Sequence, residues 1–395
     1  MRYVFIVALL PLVVSVRLLL PAPNAIVVPN RYIVTLKQND TQSVIRAAGS
    51  CVDEKYIRHV YDFGKFKGFS ATLDKKTLDD LQSSNAVPSH VVSVEPDTIV
   101  STALLAVQDP SIWNLARISH HNRSSAHKYI YDNSAGSYTC VYIIDTGIHI
   151  NHNDFQRRAF SIANFSPEND VNDNHGHGTH VAGTVGSATY GVAKNVSLLA
   201  VKVFGASGTG PASDVVAGIA FAVNDYVSVN RSQCAKGGVA NLSISGPFTE
   251  ALNAAVKAAV EKGLFMAVSA GNNGQNSSKF SPGSVEEACA AGATDANDSR
   301  AWFSNFGPNV DIWAPGVGIL STWNTGPNAT NTLDGTSMAA PHVAGLAAYL
   351  TALEGERTPL DLRKRIQQIS TKDLVTNIEN TSSINDLAYN DNEAC

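Results

Sequence analysis

Gly335-Thr336-Ser337-Met338-Ala339-Ala340-Pro341-His342, followed by the small-residue run Val343 to Leu350, is the stretch around which the rest of the sequence arranges itself. It predicts a helix that opens near Ser337, with the proline accepted in the first turn, where a missing N–H leaves no hydrogen bond unmade. The alanines and glycine behind it make that helix slim enough to be buried. Serine at a helix start is ordinarily a cap. Ser337 taken alone therefore carries no chemistry, and its meaning depends on what precedes it.

What precedes it is a series of short strands that are apolar on both faces: Cys140 to Ile144, Ser197 to Val203, Val239 to Ile244 and Leu264 to Ser269. Helix-like segments such as Ala212 to Val229 and Thr249 to Lys262 separate them. Strands without a polar face need cover on both sides, so the fold class is α/β, a mostly parallel sheet with helices on both faces. In such sheets sites lie at the carboxyl ends of the strands.

Asp145 stands at such an end, after Val141 to Ile144 and before Thr146-Gly147. Asp-Thr-Gly also occurs in aspartic proteases, but that chemistry needs two carboxylates sharing a proton, and no second Asp-Thr/Ser-Gly is present. His177 lies in Asn174-His175-Gly176-His177-Gly178-Thr179-His180, where flanking glycines let the backbone turn sharply into a helix and present an imidazole at its start. A zinc reading of this histidine cluster wants His-x-x-x-His with a glutamate between, which is absent. Each residue alone has an ordinary structural explanation. Together, an Asp at a strand end, a Gly-flanked His and a Ser at a buried helix start match the three roles of a nucleophilic triad, in the order Asp145, His177, Ser337. No Gly-x-Ser-x-Gly elbow surrounds Ser337, which argues against a lipase or esterase.

These motifs resemble the subtilisin-like serine proteases, and within them the proteinase K group. The likeness runs from Trp113 to Ser119, similar to that group's mature N-terminal region, to Leu387 to Asn390 near the C-terminus. The resemblance implies that Ser337 attacks the scissile carbonyl, His177 relays the proton, Asp145 orients the imidazole, and Asn272 supplies an oxyanion-hole amide. It implies a peptide substrate held by strand addition along Gly208-Thr209-Gly210 and Ser243-Ile244-Ser245, with Ala270 and Gly271 beside the primary pocket. Ser245 departs from the family pattern, which has glycine there, and its side chain is expected to narrow that pocket. His175 is a second departure, at the rim of the cleft. The resemblance further implies a disulfide between Cys140 and Cys234, and half of a second at Cys289, for which Cys395 is a conceivable partner. It also implies a structural calcium held by Asp311 and the carbonyls of Glu286 and Ala288. No cofactor is expected for catalysis, and the enzyme is expected to be a monomer acting on proteins or peptides. A catalytically silent binding protein on the same scaffold is the alternative; the presence of all three triad residues and Asn272 speaks against it.

Working further outward, Arg31 to Leu36, Lys67 to Leu73 and Val91 to Val94 read as strands, and Thr41 to Ala48 and Asp74 to Ser83 as helices. This small α/β unit, 31–105, resembles the ferredoxin-like inhibitor propeptide that accompanies these enzymes. Its last residues are expected to lie in the site as product, with cleavage near Leu105 and Ala106, leaving 106–395 as the peptidase domain. Between Thr98 and Pro110 the pattern dissolves into small, flexible residues, as expected of a linker or processing site.

At the N-terminus, Met1-Arg2 and the apolar run Tyr3 to Val16, interrupted at Arg17, have the order of a secretory signal, assigned to 1–22, and are too short for a transmembrane span. Sequons at Asn122, Asn195 and Asn328 accord with a secretory-pathway or extracellular location. A net charge of −5 over 395 residues gives no basic footprint for nucleic acid or a membrane surface. The five cysteines are too scattered for a disulfide framework or a Cys-x-x-Cys metal site.

Overall fold

In this computed structural model the described residues are 17–21, 27–37, 52–82, 91–98, 105–123, 127–228, 231–378 and 381–392. The chain divides into two compact units, Met1–Thr102 and Ala103–Cys395. The N-terminal signal through residue 16, the helix expected over 41–48, Cys51 and Cys395 lie outside the described residues.

In the first unit the strands run, across the sheet, Arg17–Leu18, Val91–Thr98, Val27–Leu36, Phe66–Thr72 and Ile57–Phe63. All pairings are antiparallel except the short outer one, Arg17–Leu18 on Val91–Thr98. A helix spans Lys75–Gln82. Val34, Phe69, Ala71, Leu73 and Val94 form the buried core. The strand expected to stop at Val94 continues through Pro96. Its outer neighbour covers only Ser93 and Val94, so Pro96 sits on an open edge where no N–H is required. Ile57–Phe63 was not legible, because it is an edge strand with hardly any buried side chain and no alternation to read.

The second unit is built on nine strands: β1 Cys140–Asp145, β2 Ala159–Asn164, β3 Ser197–Lys202, β4 Gly238–Leu242, β5 Phe265–Ser269, β6 Cys289–Thr294, β7 Ile312–Pro315, β8 Thr371–Lys372 and β9 Asp386–Leu387. Their order is β8-β9-β7-β6-β5-β4-β1-β3-β2, parallel throughout except β8 on β9. The main helices are α1 His177–Gly186, α2 Ala212–Ser228, α3 Glu250–Glu261, α4 Thr336–Glu354 and α5 Pro359–Ile369. Strand alternation divides the apolar side chains between two cores. Val141, Ile143, Leu198, Ala200, Phe265 and Ala267 face α1, α4 and α5. Tyr142, Ile144, Leu199, Val201, Met266 and Val268 face α2 and α3. The sheet is therefore covered on both faces, as the all-apolar strands require.

Three features differ from the sequence reading. Pro341 lies in the second turn of α4, inside the helix and not in its first turn. Leu105–Gln108, within the stretch read as a linker, is a strand paired antiparallel with Tyr129–Asp132. Its residues are exposed or half-buried, which erases the hydrophobic signature. β6, Cys-Ala-Ala-Gly-Ala-Thr, has little intrinsic strand preference, and its place between β5 and β7 decides its conformation.

α4 is buried along almost its whole length, from Met338 to Ala352. No helix among the described residues is long and apolar enough to cross a membrane. The close crossing of α4 with α1 rests on small residues: a Cβ on Gly345 would lie 2.8 Å from Val192 Cβ and 3.0 Å from the Val185 carbonyl oxygen. Gly345→Val is expected to cost about 2 kcal/mol or more by overpacking. In a unit of this size that is a fall in Tm of roughly 4–8 °C, read by circular dichroism in a Ser337→Ala background.

Candidate active site

Asp145 ends β1 and is wholly buried. Its Oδ1 accepts from the Thr146 N–H at 2.7 Å and lies 2.8 Å from His177 Nδ1, which donates to it. His177 is the first residue of α1, with one-fifth of its side chain exposed. Both flanking glycines are obligatory for different reasons. Gly176 has φ +108°, and a Cβ there would enter the Trp323 indole. A Cβ on Gly178 would lie 2.1 Å from the Gly147 carbonyl oxygen, so the helix start could not approach the turn after Asp145. Burial lowers the affinity of the His177 imidazole for a proton, but the Asp145 carboxylate, through its charge and hydrogen bond, and the Asp173 charge outweigh it, and the pKa is raised above the ordinary histidine value.

Ser337 is the second residue of α4. Pro341 has no N–H to give to the carbonyl four residues earlier, which is that of Ser337. That carbonyl accepts instead from Ser243 Oγ at 2.8 Å, and Ser337 Oγ in turn donates to the Ser243 carbonyl at 3.0 Å. The helix interruption is thus the means by which the 243–245 segment, just past β4, is fastened to the start of α4. Asn272, just past β5, has its Oδ1 fixed by the Thr336 N–H and hydroxyl, both at 2.8 Å. Its amide nitrogen is thereby turned toward the mouth of α4, 3.6 Å from where a Cβ on Gly335 would stand.

The remaining expected residues line the same edge of the sheet. Gly208-Thr209-Gly210 forms an exposed segment after β3, and a Cβ on Gly208 would strike the His175 ring at 2.6 Å. Ile244 is tied to β5 by Ser269 Oγ, which donates to its carbonyl at 2.5 Å. Buried Ala270 has its carbonyl held by Asn305 Nδ2 at 2.9 Å. Ser245 is exposed, and its hydroxyl lies 2.8 Å from the Cβ position of Gly271, across the gap between the two segments. The structure therefore joins Asp145 to His177, Ser243 to Ser337, Ser245 to Gly271 and Asn272 to Thr336. The Ser337 hydroxyl is directed at Ser243 and not at His177.

Sequence reading missed the groups that hold this edge together. Buried Asp173 accepts from the Thr146 hydroxyl at 2.8 Å, from the Gly176 N–H at 2.8 Å and from the Thr179 N–H at 2.8 Å, binding the turn after β1 to the start of α1. Lys202, fully buried at the end of β3, donates to the carbonyls of Thr146 at 2.8 Å and Phe204 at 2.9 Å and faces Glu168 at 3.3 Å. Glu168 also accepts from the Ala206 N–H at 2.6 Å, so one cation links the Asp145 turn to the loop that carries Gly208. Asn305 Oδ1 accepts from the N–H groups of Asn273 and Gln275, each at 3.0 Å. A lysine closing an all-apolar strand is the signal that was available, since a buried ammonium must be paired. Neighbouring histidines serve structure: burial lowers His180 and His342 to about 4, and their rings bond the Ile319 and Met338 carbonyls.

Cys140 and Cys234 are bonded, as expected, with Cα atoms 5.1 Å apart. Cys289 is buried and has no disulfide partner among the described residues, and burial pushes its thiol pKa up. The calcium expectation requires correction. Asp311 and the carbonyls of Glu286 and Ala288 do converge, but on the guanidinium of Arg363, whose Nη1 donates to the two carbonyls at 2.5 and 2.9 Å and lies 3.2 Å from Asp311 Oδ1. The oxygens that would bind an ion are taken by a side chain, and the residues present do not fit calcium. Burial pushes the Asp311 carboxyl up to about 7 against the opposing pull of Arg363 and the Ala290 N–H.

Comparison with known proteins gives the family of the fold. Residues 136–384 match the subtilase family, and residues 31–103 match the peptidase inhibitor I9 family. A subtilisin-like serine protease, AsES, of Sarocladium strictum is 43% identical, with 99% of each chain covered. A cuticle-degrading protease of Metarhizium anisopliae is 41% identical over 92% of this chain and 90% of its own. The crystal structure of a cold-adapted subtilisin-like serine proteinase superposes with a TM-score of 0.66 at 36% identity, over 72% of this chain and all of that one. With an I9 inhibitor segment ahead of a doubly covered parallel sheet and the Asp145–His177 pair at its carboxyl edge, this chain belongs to the subtilase family of serine endopeptidases.

Proposed function

We propose that the chain is a secreted endopeptidase, made as a zymogen, which cleaves peptide bonds through Asp145, His177 and Ser337. The observation that carries this reading is the 2.8 Å hydrogen bond between buried Asp145 and His177, which fixes the imidazole tautomer and leaves Nε2 as the base. In the resting arrangement Ser337 Oγ rests on the Ser243 carbonyl. Rotation about its Cα–Cβ bond brings the hydroxyl to His177 as substrate binds; catalytic hydrogen bonds often tighten only in that complex. Nε2 takes the hydroxyl proton as Oγ bonds to the scissile carbonyl carbon. The resulting oxyanion is met by the Ser337 N–H and the Asn272 amide, whose orientation the Thr336 contacts support. His177 then gives the proton to the departing amine, an acyl-enzyme remains, and water attacks it by the same route in reverse. All of these steps use the chain's own groups.

Substrate backbone pairs with 208–210 and 243–245, so main chain supplies affinity and the pocket between Ser245 and Gly271 supplies preference. Residues 31–103 act as the intramolecular inhibitor, and maturation cuts near Leu105–Ala106, at the strand that starts the second unit. Residues 1–22 serve as the export signal, and the mature enzyme works as a monomer.

A serine-directed fluorophosphonate is expected to label the processed protein and to leave Ser337→Ala unlabelled; an unlabelled processed wild type would sink the reading. The pH dependence follows from His177. The base must be neutral, and a raised pKa keeps it protonated further up the scale, so the acid limb of kcat/KM falls above the ordinary value of about 6.5. Asp145→Asn should move that limb down and lower kcat about 10⁴-fold, and a profile flat to acid pH would contradict the assignment. Ser245→Gly should raise kcat/KM for large aromatic residues relative to small ones by roughly 10-fold, the scale of a small change in pocket volume, as measured on a peptide series varied at the residue before the scissile bond.

A further inference from the structure

The point where a divalent cation was expected is a set of converging hydrogen-bond acceptors with a single backbone donor, the Ala290 N–H. Two carbonyls, from Glu286 and Ala288, and one carboxylate, from Asp311, face one another at the edge where β6 and β7 begin. Acceptors gathered in this way need a cation or a cluster of N–H groups between them, because each would otherwise lose its hydrogen bonds to water without replacement. Arg363, from the first half of α5, provides both in one group. Its side chain is 17% exposed and that of Asp311 is 14% exposed, so the contacts with Asp311 and Ala288 are largely out of solvent, while Glu286 lies at the exposed rim. The second carboxylate oxygen is satisfied by the Ala290 N–H at 2.8 Å, and the Asp311 carbonyl by Gln367 Nε2 at 3.0 Å. Arg363 and Gln367 lie one helical turn apart, so a single face of α5 grips the loop before β6 and the start of β7 together.

We infer that Arg363 is the resident cation of this site, a tethered guanidinium doing permanently what a bound divalent ion would do only when present. Calcium binds through six to eight oxygens, whereas here Arg363 Nη1 stands among the few that converge. A dissociable ion stabilises by mass action and is lost to chelators. A side chain on α5 has no such dependence. The consequence reaches the substrate edge: the same loop carries Gly283, whose Cβ position is 2.7 Å from the Ala270 carbonyl oxygen, so what fastens residues 286–288 at one end also backs the pocket segment at the other.

The test is thermal unfolding of the full chain in the Ser337→Ala background, with calcium chloride or EGTA in excess. With Arg363 in place, adding Asp311→Ala should leave the difference in Tm between calcium and EGTA unchanged. A calcium-dependent rise that disappears with Asp311→Ala would overturn the inference, because it would show an ion held at this carboxylate despite Arg363. Arg363→Ala should lower Tm in EGTA by several degrees and acquire a calcium-dependent recovery that the background lacks. A destabilised Arg363→Ala whose Tm is the same in calcium and EGTA would refute the equivalence of side chain and ion. Should that variant fail to fold, calorimetric titration of calcium into the background protein still decides: heat of binding that Asp311→Ala abolishes overturns the proposal, and an Asp311-independent titration supports it.

Discussion

The burial of α4 is the constraint on which the second unit depends. A helix whose side chains from Met338 to Ala352 are out of water can lie against the sheet and cross α1 closely only if its surface is made of Ala, Gly and a few larger residues. That requirement fixes the start of the helix relative to the strand ends, and so fixes Ser337. It also fixes α1, whose crossing with α4 at Gly345 determines where His177 emerges. Pro341, which would weaken an isolated helix, releases one carbonyl to Ser243 and turns a backbone defect into a cross-link between the helix start and the 243–245 segment.

Around this apolar scaffold the carboxyl edge of the sheet is held by buried polar groups in which each charge is answered by at least one partner, although Asp145 Oδ2 has none among the described residues. Asp145 by His177 and Thr146, Asp173 by Thr146, Gly176 and Thr179, and Lys202 by two carbonyls and Glu168 form a continuous chain of contacts across β1, α1 and β3. Pairing matters here because an unpaired buried charge costs its full desolvation. The contacts also stiffen the site, and a stiff site loses less reorganisation energy when charge develops on it. Arg363 extends the same logic to the neighbouring loop, where a tethered charge answers Asp311 without recourse to solvent ions.

Much of this was legible because it is local. All-apolar strands, helices rich in Ala and Gly, an Asp at a strand end, and a Gly-flanked His and a Ser each at a helix start mark the doubly covered sheet and its candidate residues. The limits were equally physical. Leu105–Gln108 is a strand that buries almost nothing, so it has no hydrophobic signature. The strand Cys289–Thr294 is composed of residues without strand preference and is extended because its neighbours are.

The sequence by itself determined the doubly covered parallel sheet and the chemical identity of the Asp, His and Ser groups, because those follow from all-apolar strands and from motifs contiguous in the chain, whereas the Cys140–Cys234 pairing, across 94 residues, came only through the family resemblance. Only the tertiary structure decided what answers each buried charge. The Arg363 contacts span 77 and 75 residues of chain and leave no local trace, and an arginine on a solvated helix face reads the same as one reaching into an ion site. A cluster of oxygens has the same sequence whether a metal or a guanidinium fills it. The choice is made by which helix packs alongside, and that is settled by folding.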